Sequence, residues 1–146
     1  MPTMTIREMQ LADYESVYQL WTQTTGMGLR SLDDSKEGIT KFLARNPTTN
    51  FVACNNGTII GVILSGHDGR RGYIYHAAVD VSCRGQGIGT RLVDTALSAL
   101  RNEGINKVAL VVFENNAIGN EFWTSIGFDA RHDLVYRNKS INKNNV

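Results

Sequence analysis

Three glycines at alternate positions, with an arginine before them, carry the clearest chemical signature in this sequence. Gly85, Gly87 and Gly89 follow Arg84 and separate an apolar run ending at Val81 from a long amphipathic segment. A strand that turns tightly into a helix exposes backbone N–H groups at the positive end of the helix dipole, and such groups favour phosphate or pyrophosphate. The stretch therefore predicts an anion-binding loop.

Nucleotide-binding loops of two common kinds fit this stretch poorly. A P-loop requires Gly-Lys-Ser/Thr at the helix start, whereas this chain has Gly89-Thr90-Arg91. A dinucleotide fingerprint has the spacing G-x-G-x-x-G, whereas the spacing here is G-x-G-x-G after three strands of antiparallel type. A turn that binds nothing is the remaining alternative, but it has no need for glycine at all three positions.

The elements around the loop follow from hydrophobic periodicity and turn residues. Strands are predicted at residues 5–9, 51–54, 58–65, 73–81 and 107–113, and at 128 paired with 134–136; helices are predicted to start at Asp13, near Asp34, after the glycines and at Asn116. Asn56-Gly57 predicts a tight hairpin turn. The order β-α-α-β-β-β-α-β-α-β-β predicts an α/β domain with a mixed sheet and one parallel crossover.

Composition narrows the class of protein. The 146 residues carry a formal charge of +1, which gives no field for nucleic acid or an anionic membrane, and no segment resembles a membrane span or a secretion signal. Cys54 and Cys83 match no zinc spacing, so we expect no metal and a cytoplasmic protein with reduced thiols. We predict one domain at residues 1–138 and a flexible C-terminal tail at 139–146.

Two motifs resemble those of the GCN5-related N-acetyltransferase (GNAT) family. Arg84-Gly85-Gln86-Gly87-Ile88-Gly89 is similar to the family pattern Arg/Gln-x-x-Gly-x-Gly/Ala, and residues 116–128 are similar to its Asn-x-x-Ala-x-x-Phe-Tyr-x-x-x-Gly-Phe segment. The resemblance runs from about residue 5 to 136. It implies a GNAT-like acyl-CoA N-acyltransferase fold, in which a mixed, mostly antiparallel sheet with a central parallel strand pair is flanked by helices.

The resemblance also implies where acetyl-CoA, the expected cosubstrate, would lie. In the family it occupies the opening where two parallel strands splay apart, here residues 73–81 and 107–113. Backbone groups around Ala77, Val79 and Val81 are expected to pair with the pantetheine arm, and an N–H near Ala78 or Val79 to hold the thioester oxygen.

The remaining cofactor contacts are expected at the glycine loop and at the second motif. The pyrophosphate is expected to contact Arg84 and the amides of Gly85, Gln86, Gly87, Ile88, Gly89 and Thr90. Asn116 is expected to contact the arm from the other side, with a plain helix N-cap as the alternative. Trp123 is expected to pack beside the cofactor.

The catalytic groups depart from the family pattern. Trp123 stands where relatives carry a tyrosine that donates a proton, and an indole N–H does not release its proton at accessible pH. Either another group protonates the sulfur, or the thiolate, whose ordinary pKa is about 8.5, leaves unaided.

No glutamate occupies either strand beside the opening, so the base has to be another group. The candidates are Tyr75 and Tyr73, which share one face of their strand and would act through water, and then His76, predicted on the opposite face. Asp33 and Asp34 could face an ammonium group, although their position before a helix favours a capping role.

These residues together predict an acetyl-CoA-dependent N-acetyltransferase that transfers acetyl directly to a primary amine, more plausibly of a small molecule than of a protein N-terminus or lysine. A catalytically inactive acyl-CoA sensor or interaction module is the alternative. The acceptor pocket is predicted over residues 24–35 and the turn at 67–72, and family resemblance favours a homodimer.

Overall fold

The structure is a computed structural model that describes residues 4–146. Its elements, in chain order, are β1 (Met4–Glu8), α1 (Tyr14–Thr22), α2 (Lys36–Arg45), β2 (Phe51–Asn55), β3 (Thr58–His67), β4 (Gly72–Val79), α3 (Ile88–Asn102), β5 (Val108–Ala109) and α4 (Ala117–Ser125), with short 3-10 turns at Leu11–Asp13 and Val81–Cys83. None of the helices between residues 4 and 146 is both long and apolar enough to cross a membrane.

The five strands form one mixed sheet in the order β1-β2-β3-β4-β5. The first four strands are antiparallel, and β4 and β5 are parallel neighbours joined through α3. Asn56 and Gly57 both have positive φ, 51° and 80°, as the two-residue hairpin between β2 and β3 requires. The predicted mixed α/β fold with one parallel crossover is confirmed.

Helices cover both faces of the sheet, and β3 supplies core residues to each. Trp21 of α1 and Ile39 of α2 pack with Val62 on one face. Leu92 of α3 packs with Ile63 on the other. The near-continuous apolar sequence of β3 is therefore explained by burial on both sides, as predicted.

The chain after α3 contains less strand than its sequence predicts. β5 ends at Ala109, and Val111 and Phe113 are 55% and 57% exposed. Residues 128 and 134–136 form no strand pair, and Leu134, Val135 and Tyr136 are exposed. The prediction of strands at 110–113 and 134–136 was wrong because an apolar run becomes a strand only where a neighbour accepts its backbone hydrogen bonds.

Candidate active site

The parallel strands β4 and β5 pair over only two residues, because β5 ends at Ala109. Gly72 and Tyr73 are opposite Val108 and Ala109, and the rest of β4 has no partner on that side within the described residues. The splayed strand pair that the resemblance implies is therefore present only in part: the last six residues of β4 form an unpaired backbone edge, and residues 110–114 line the cleft without forming a strand.

Backbone alternation shows which residues face this opening. The Asp80 N–H donates to the Ile60 carbonyl of β3 at 2.8 Å. Since hydrogen-bonded residues alternate along an antiparallel pair, Ala78 also faces β3, while Ala77 and Val79 face the opening. Of the two residues predicted to hold the thioester oxygen, Val79 is therefore the one whose backbone N–H points into the opening.

Strand β4 ends at Val79, two residues earlier than predicted. The Asp80 carboxylate accepts hydrogen bonds from the backbone N–H and the hydroxyl of Ser82 at 2.9 and 2.7 Å, which starts the 3-10 turn Val81–Cys83. Val81 is 76% exposed in this turn. The prediction that Val81 belongs to the strand edge is corrected, because the Asp80 side chain ends the strand.

The glycine loop, residues 84–90, opens toward solvent at the start of α3. Gly85 and Gly87 have φ of +79° and +78°, and a Cβ at either position would meet no atom within 4 Å. Gly89 differs, since a Cβ there would lie 3.3 Å from the ring of Phe122 in α4. Two glycines thus permit the turn, and the third permits close packing of α4 on α3.

The N-terminus of α3 has the features of an anion site. Its N-cap is Gly87, so no side chain caps the first-turn N–H groups. The exposed Arg84 side chain donates from Nε to the Val79 carbonyl at 3.1 Å, which ties the guanidinium to the end of β4. Exposed N–H groups, a helix dipole and a guanidinium on open space fit a pyrophosphate group.

A β-bulge in β4 changes the direction of its side chains. His76 pairs with Leu64 and Ile74 pairs with the next residue, Ser65, so Tyr75 is the extra residue. A bulge of this kind shifts the in–out alternation by one position. The prediction that His76 lies on the face opposite Tyr75 was therefore wrong, because the bulge turns both toward the α1–α2 side.

His76 forms a short hydrogen bond near the opening. Its Nε2 lies 2.7 Å from Oδ1 of Asp34, and the two side chains are only 10% and 7% exposed. Oδ2 of Asp34 accepts the Arg30 N–H at 2.7 Å, and the Tyr14 hydroxyl donates to the Asp34 carbonyl at 2.7 Å. The imidazole ring of His76 also packs edge-on against the indole ring of Trp21, and the two ring centroids are 4.8 Å apart.

This contact assigns the roles of the imidazole nitrogens. An ionised carboxylate only accepts hydrogen bonds, so Nε2 of a neutral His76 carries the proton and Nδ1 carries the lone pair. Nδ1 is buried and has no hydrogen-bond partner among residues 4–146. Asp34 was considered as a helix cap in the sequence; the N-cap of α2 is instead Ser35, whose Oγ accepts the Gly38 N–H at 3.0 Å.

Tyr73 and Tyr75 form an aromatic pair next to His76. Their ring centroids are 4.7 Å apart, and Tyr75 also contacts Phe42 of α2 edge-on. Burial raises the pKa of both phenols, and for Tyr75 the charge of Asp33 is the second cause. Both hydroxyls therefore remain protonated at neutral pH and are better suited to donate a proton than to accept one.

The second motif forms α4 as the sequence predicts. Oδ1 of Asn116 accepts the Gly119 N–H at 3.0 Å, so the N-cap alternative for Asn116 is confirmed, and a cofactor contact remains a prediction. Trp123 packs edge-on against Phe122 and Phe128, with centroid distances of 5.0 and 5.1 Å.

One open cleft of ≈ 2520 Å³ collects these groups. This exceeds the roughly 300–1,000 Å³ of a pocket for one small ligand, so there is space for two substrates. Every predicted catalytic and cofactor residue except Gln86 contributes to its wall.

The wall of the cleft differs from the predicted acceptor pocket. The turn at residues 67–72 does not contribute to the wall, whereas residues 138–142 and Asn145 do, together with much of the α1–α2 loop (residues 23–35). The part of the prediction that placed the pocket over 67–72 was wrong, and the C-terminal segment that takes its place carries no sequence pattern that indicates it.

Comparisons with known proteins agree with this geometry. The model of the acetyltransferase (GNAT) family matches residues 13–128. An acetyltransferase of Pectobacterium atrosepticum is 34% identical over 113 residues, which is 77% of this chain and 79% of that protein. The chain therefore belongs to the GNAT family, and it is an acetyltransferase.

Solved structures show the same fold. Ard1 from Thermoplasma volcanium superposes with a TM-score of 0.75 at 27% identity, covering 85% of this chain and 81% of that one. The aminoglycoside N-acetyltransferase AAC(6′)-Iy, solved in complex with CoA, has a TM-score of 0.75 at 18% identity and covers 95% and 96%.

Proposed function

We propose that this acetyltransferase uses acetyl-CoA and transfers the acetyl group directly to a primary amine of a small molecule. The observation that carries the proposal is the position of the His76–Asp34 pair in the same cleft as the unpaired edge of β4 and the glycine loop. One end of the cleft is suited to a pyrophosphate, and the other to the loss of a proton from an amine.

Three features of the chain support binding of acetyl-CoA. The glycine loop and Arg84 would hold the pyrophosphate, the edge groups of Ala77 would pair with the pantetheine arm, and the Val79 N–H would face the thioester oxygen. Acetyl-CoA supplies the activated acetyl group. The Val79 N–H would bind that oxygen more strongly as it gains negative charge, which favours the transition state over the ground state.

We assign proton transfer to two side chains at the acceptor end, the imidazole of His76 and the phenol of Tyr75. As the amine attacks, a new N–C bond forms and the C–S bond breaks, and the amine nitrogen has to lose a proton. Nδ1 of His76 accepts that proton, and Asp34 stabilises the imidazolium that results. Because Nδ1 is buried, the proton reaches it only after the side chains around it move. Tyr75, whose pKa is raised by burial, donates a proton to the leaving thiolate.

A small-molecule acceptor agrees with the substrate class of one structural neighbour. AAC(6′)-Iy is an aminoglycoside N-acetyltransferase. Neither Asp33 nor Asp34 is free to bind an ammonium group with both carboxylate oxygens, because each holds protein groups. We therefore place the reactive nitrogen near His76 and Tyr75 and not at these carboxylates.

The test is release of free thiol from acetyl-CoA by the purified protein with a panel of small primary amines. Thiol release with at least one amine, together with an acetylated product by mass spectrometry, is the expected result. If no amine increases release above the background hydrolysis, the proposed transfer is wrong.

A CoA-binding module without catalysis is the second candidate. It is favoured by Trp123, which replaces the tyrosine usual in the family, and by the absence of a glutamate in β4. Its signature is a rise in melting temperature with acetyl-CoA and no acetylated product from any amine. The melting temperature with acetyl-CoA and the detection of acetylated product therefore distinguish an enzyme from a CoA-binding module.

A further inference from the structure

The C-terminal residues are attached to the α1–α2 loop by specific hydrogen bonds. Oδ1 of Asn145 accepts the backbone N–H groups of Leu32 and Asp33 at 3.0 and 3.1 Å, and Nδ2 of Asn145 donates to Oδ2 of Asp33 at 2.8 Å. One amide side chain thus makes three hydrogen bonds with two consecutive loop residues.

Ser31 makes three more hydrogen bonds to the same segment. Its hydroxyl donates to the Asn144 carbonyl at 2.8 Å and accepts the Val146 N–H at 2.9 Å, and its backbone N–H donates to the Val146 carbonyl at 2.6 Å. The segment predicted to be a flexible tail therefore has a defined attachment point in the structure.

The attached segment lies along the acceptor end of the cleft. Residues 138–142 contribute to the cleft wall, and the loop that they reach also holds Asp34, the partner of His76. The α1–α2 loop is thereby held by hydrogen bonds on two sides, to His76 in the cleft and to Asn145 in the C-terminal segment. A substitution of Asn145 is therefore expected to alter the acceptor end of the cleft and to leave the glycine loop unchanged.

We propose that residues 138–146 form a strap that closes the acceptor end of the cleft and selects small amines over polypeptides. The proposal rests on the proposed function. An extended peptide advances about 3.3 Å per residue and needs a groove open at both ends to lie across the reacting centre. The strap lines the cleft at the acceptor end and blocks the passage that a polypeptide needs beyond the reacting centre, whereas a short amine does not need that passage.

The test compares the wild-type chain with Asn145→Leu, which removes three hydrogen bonds at similar side-chain volume. Asn102→Leu, an exposed asparagine at the end of α3, is the matched control. The value of kcat/KM is measured for a short alkyl primary amine and for a pentapeptide with a free N-terminus, along with hydrogen exchange at Leu32 and Asp33.

Wild type is expected to prefer the short amine. Asn145→Leu should reduce this preference by about tenfold, because the strap loses the three side-chain hydrogen bonds that hold it against the loop. The KM for acetyl-CoA should not change, exchange at Leu32 and Asp33 should become faster, and Asn102→Leu should behave as wild type.

Three results would overturn the strap: equal use of peptide and short amine by wild type, an unchanged preference in Asn145→Leu, or unchanged exchange at Leu32 and Asp33. Absence of transfer by all three proteins would instead refute the proposed function, and the selection role with it. Transfer with unchanged selectivity refutes the strap alone.

Discussion

Nε2 of His76 and Oδ1 of Asp34 lie 2.7 Å apart, and they join two segments that are 42 residues apart in the chain. His76 follows the bulge of β4, and Asp34 ends the α1–α2 loop just before the N-cap of α2. A buried carboxylate beside an imidazole fixes the tautomer and stabilises the protonated ring. This contact is the basis for assigning proton transfer to His76.

Asp34→Asn tests the role of the carboxylate. The substitution keeps the side-chain size but removes the charge that stabilises the imidazolium, so kcat should fall by about tenfold or more with the KM for acetyl-CoA unchanged. Steady-state kinetics with one accepted amine measures both. Asp94→Asn, an exposed carboxylate on α3, is the control; an equal loss in both variants would contradict a specific role for Asp34.

Gly87→Glu tests the placement of the pyrophosphate. A glutamate at the N-cap of α3 puts bulk and a negative charge where the anion would bind, so the rise in melting temperature with acetyl-CoA should disappear. Gly104→Glu is the matched control because Gly104 has a similar φ of +82° and open surroundings at the other end of α3. Tight CoA binding by Gly87→Glu would exclude this loop.

Tyr75→Phe tests the proton donor for the leaving thiolate. Because burial and then Asp33 raise the pKa of Tyr75 above its ordinary value of 10.0, its hydroxyl stays protonated between pH 7 and 9. The variant should therefore show kcat lowered by about tenfold or more over this whole range. Tyr18→Phe on α1 serves as control, and a pH–rate profile matching wild type would leave Tyr75 without a catalytic role.

The sequence predicted the parts of this site that depend on local patterns. The glycine loop, the Asn116 cap and the strand order follow from turn chemistry and periodicity, which act over a few residues. The direction of His76 could not be predicted in this way, because the bulge at Tyr75 depends on the pairing of β4 with β3.

Long-range contacts account for the other residues that sequence reasoning missed. Asp34 precedes a helix, so its sequence context favours a cap, and only the fold brings His76 to it. Asn145 belongs to a segment without periodicity, so its three hydrogen bonds to the α1–α2 loop have no local signal. In both cases the partner is distant in the chain.

Asp13→Asn tests a structural pair at the start of α1. Both Asp13 oxygens accept from Arg7 at 2.8 Å, and this interaction, with the Gln10 N–H, lowers the pKa of Asp13 below its ordinary value of 3.8. The free energy of unfolding should fall by about 1–3 kcal/mol at pH 7.

The pH dependence of this loss has a definite sign. A lowered pKa in the folded state means that the stabilisation is complete above pH 3.8 and is lost as the pH falls through the lowered pKa. Urea unfolding of wild type and Asp13→Asn should therefore converge in acid. Asp133→Asn, which breaks an exposed pair with Arg131, should leave the free energy of unfolding almost unchanged; an equal effect of both variants would contradict the account.

The most direct test of the proposed mechanism is single-turnover acetyl transfer by wild type and His76→Gln, with acetyl-CoA bound at saturation. His132→Gln, an exposed histidine outside the cleft, is the control. We predict that His76→Gln binds acetyl-CoA as tightly as wild type but transfers the acetyl group about 100-fold more slowly. Transfer by His76→Gln at the wild-type rate would contradict the assignment of the amine proton to His76.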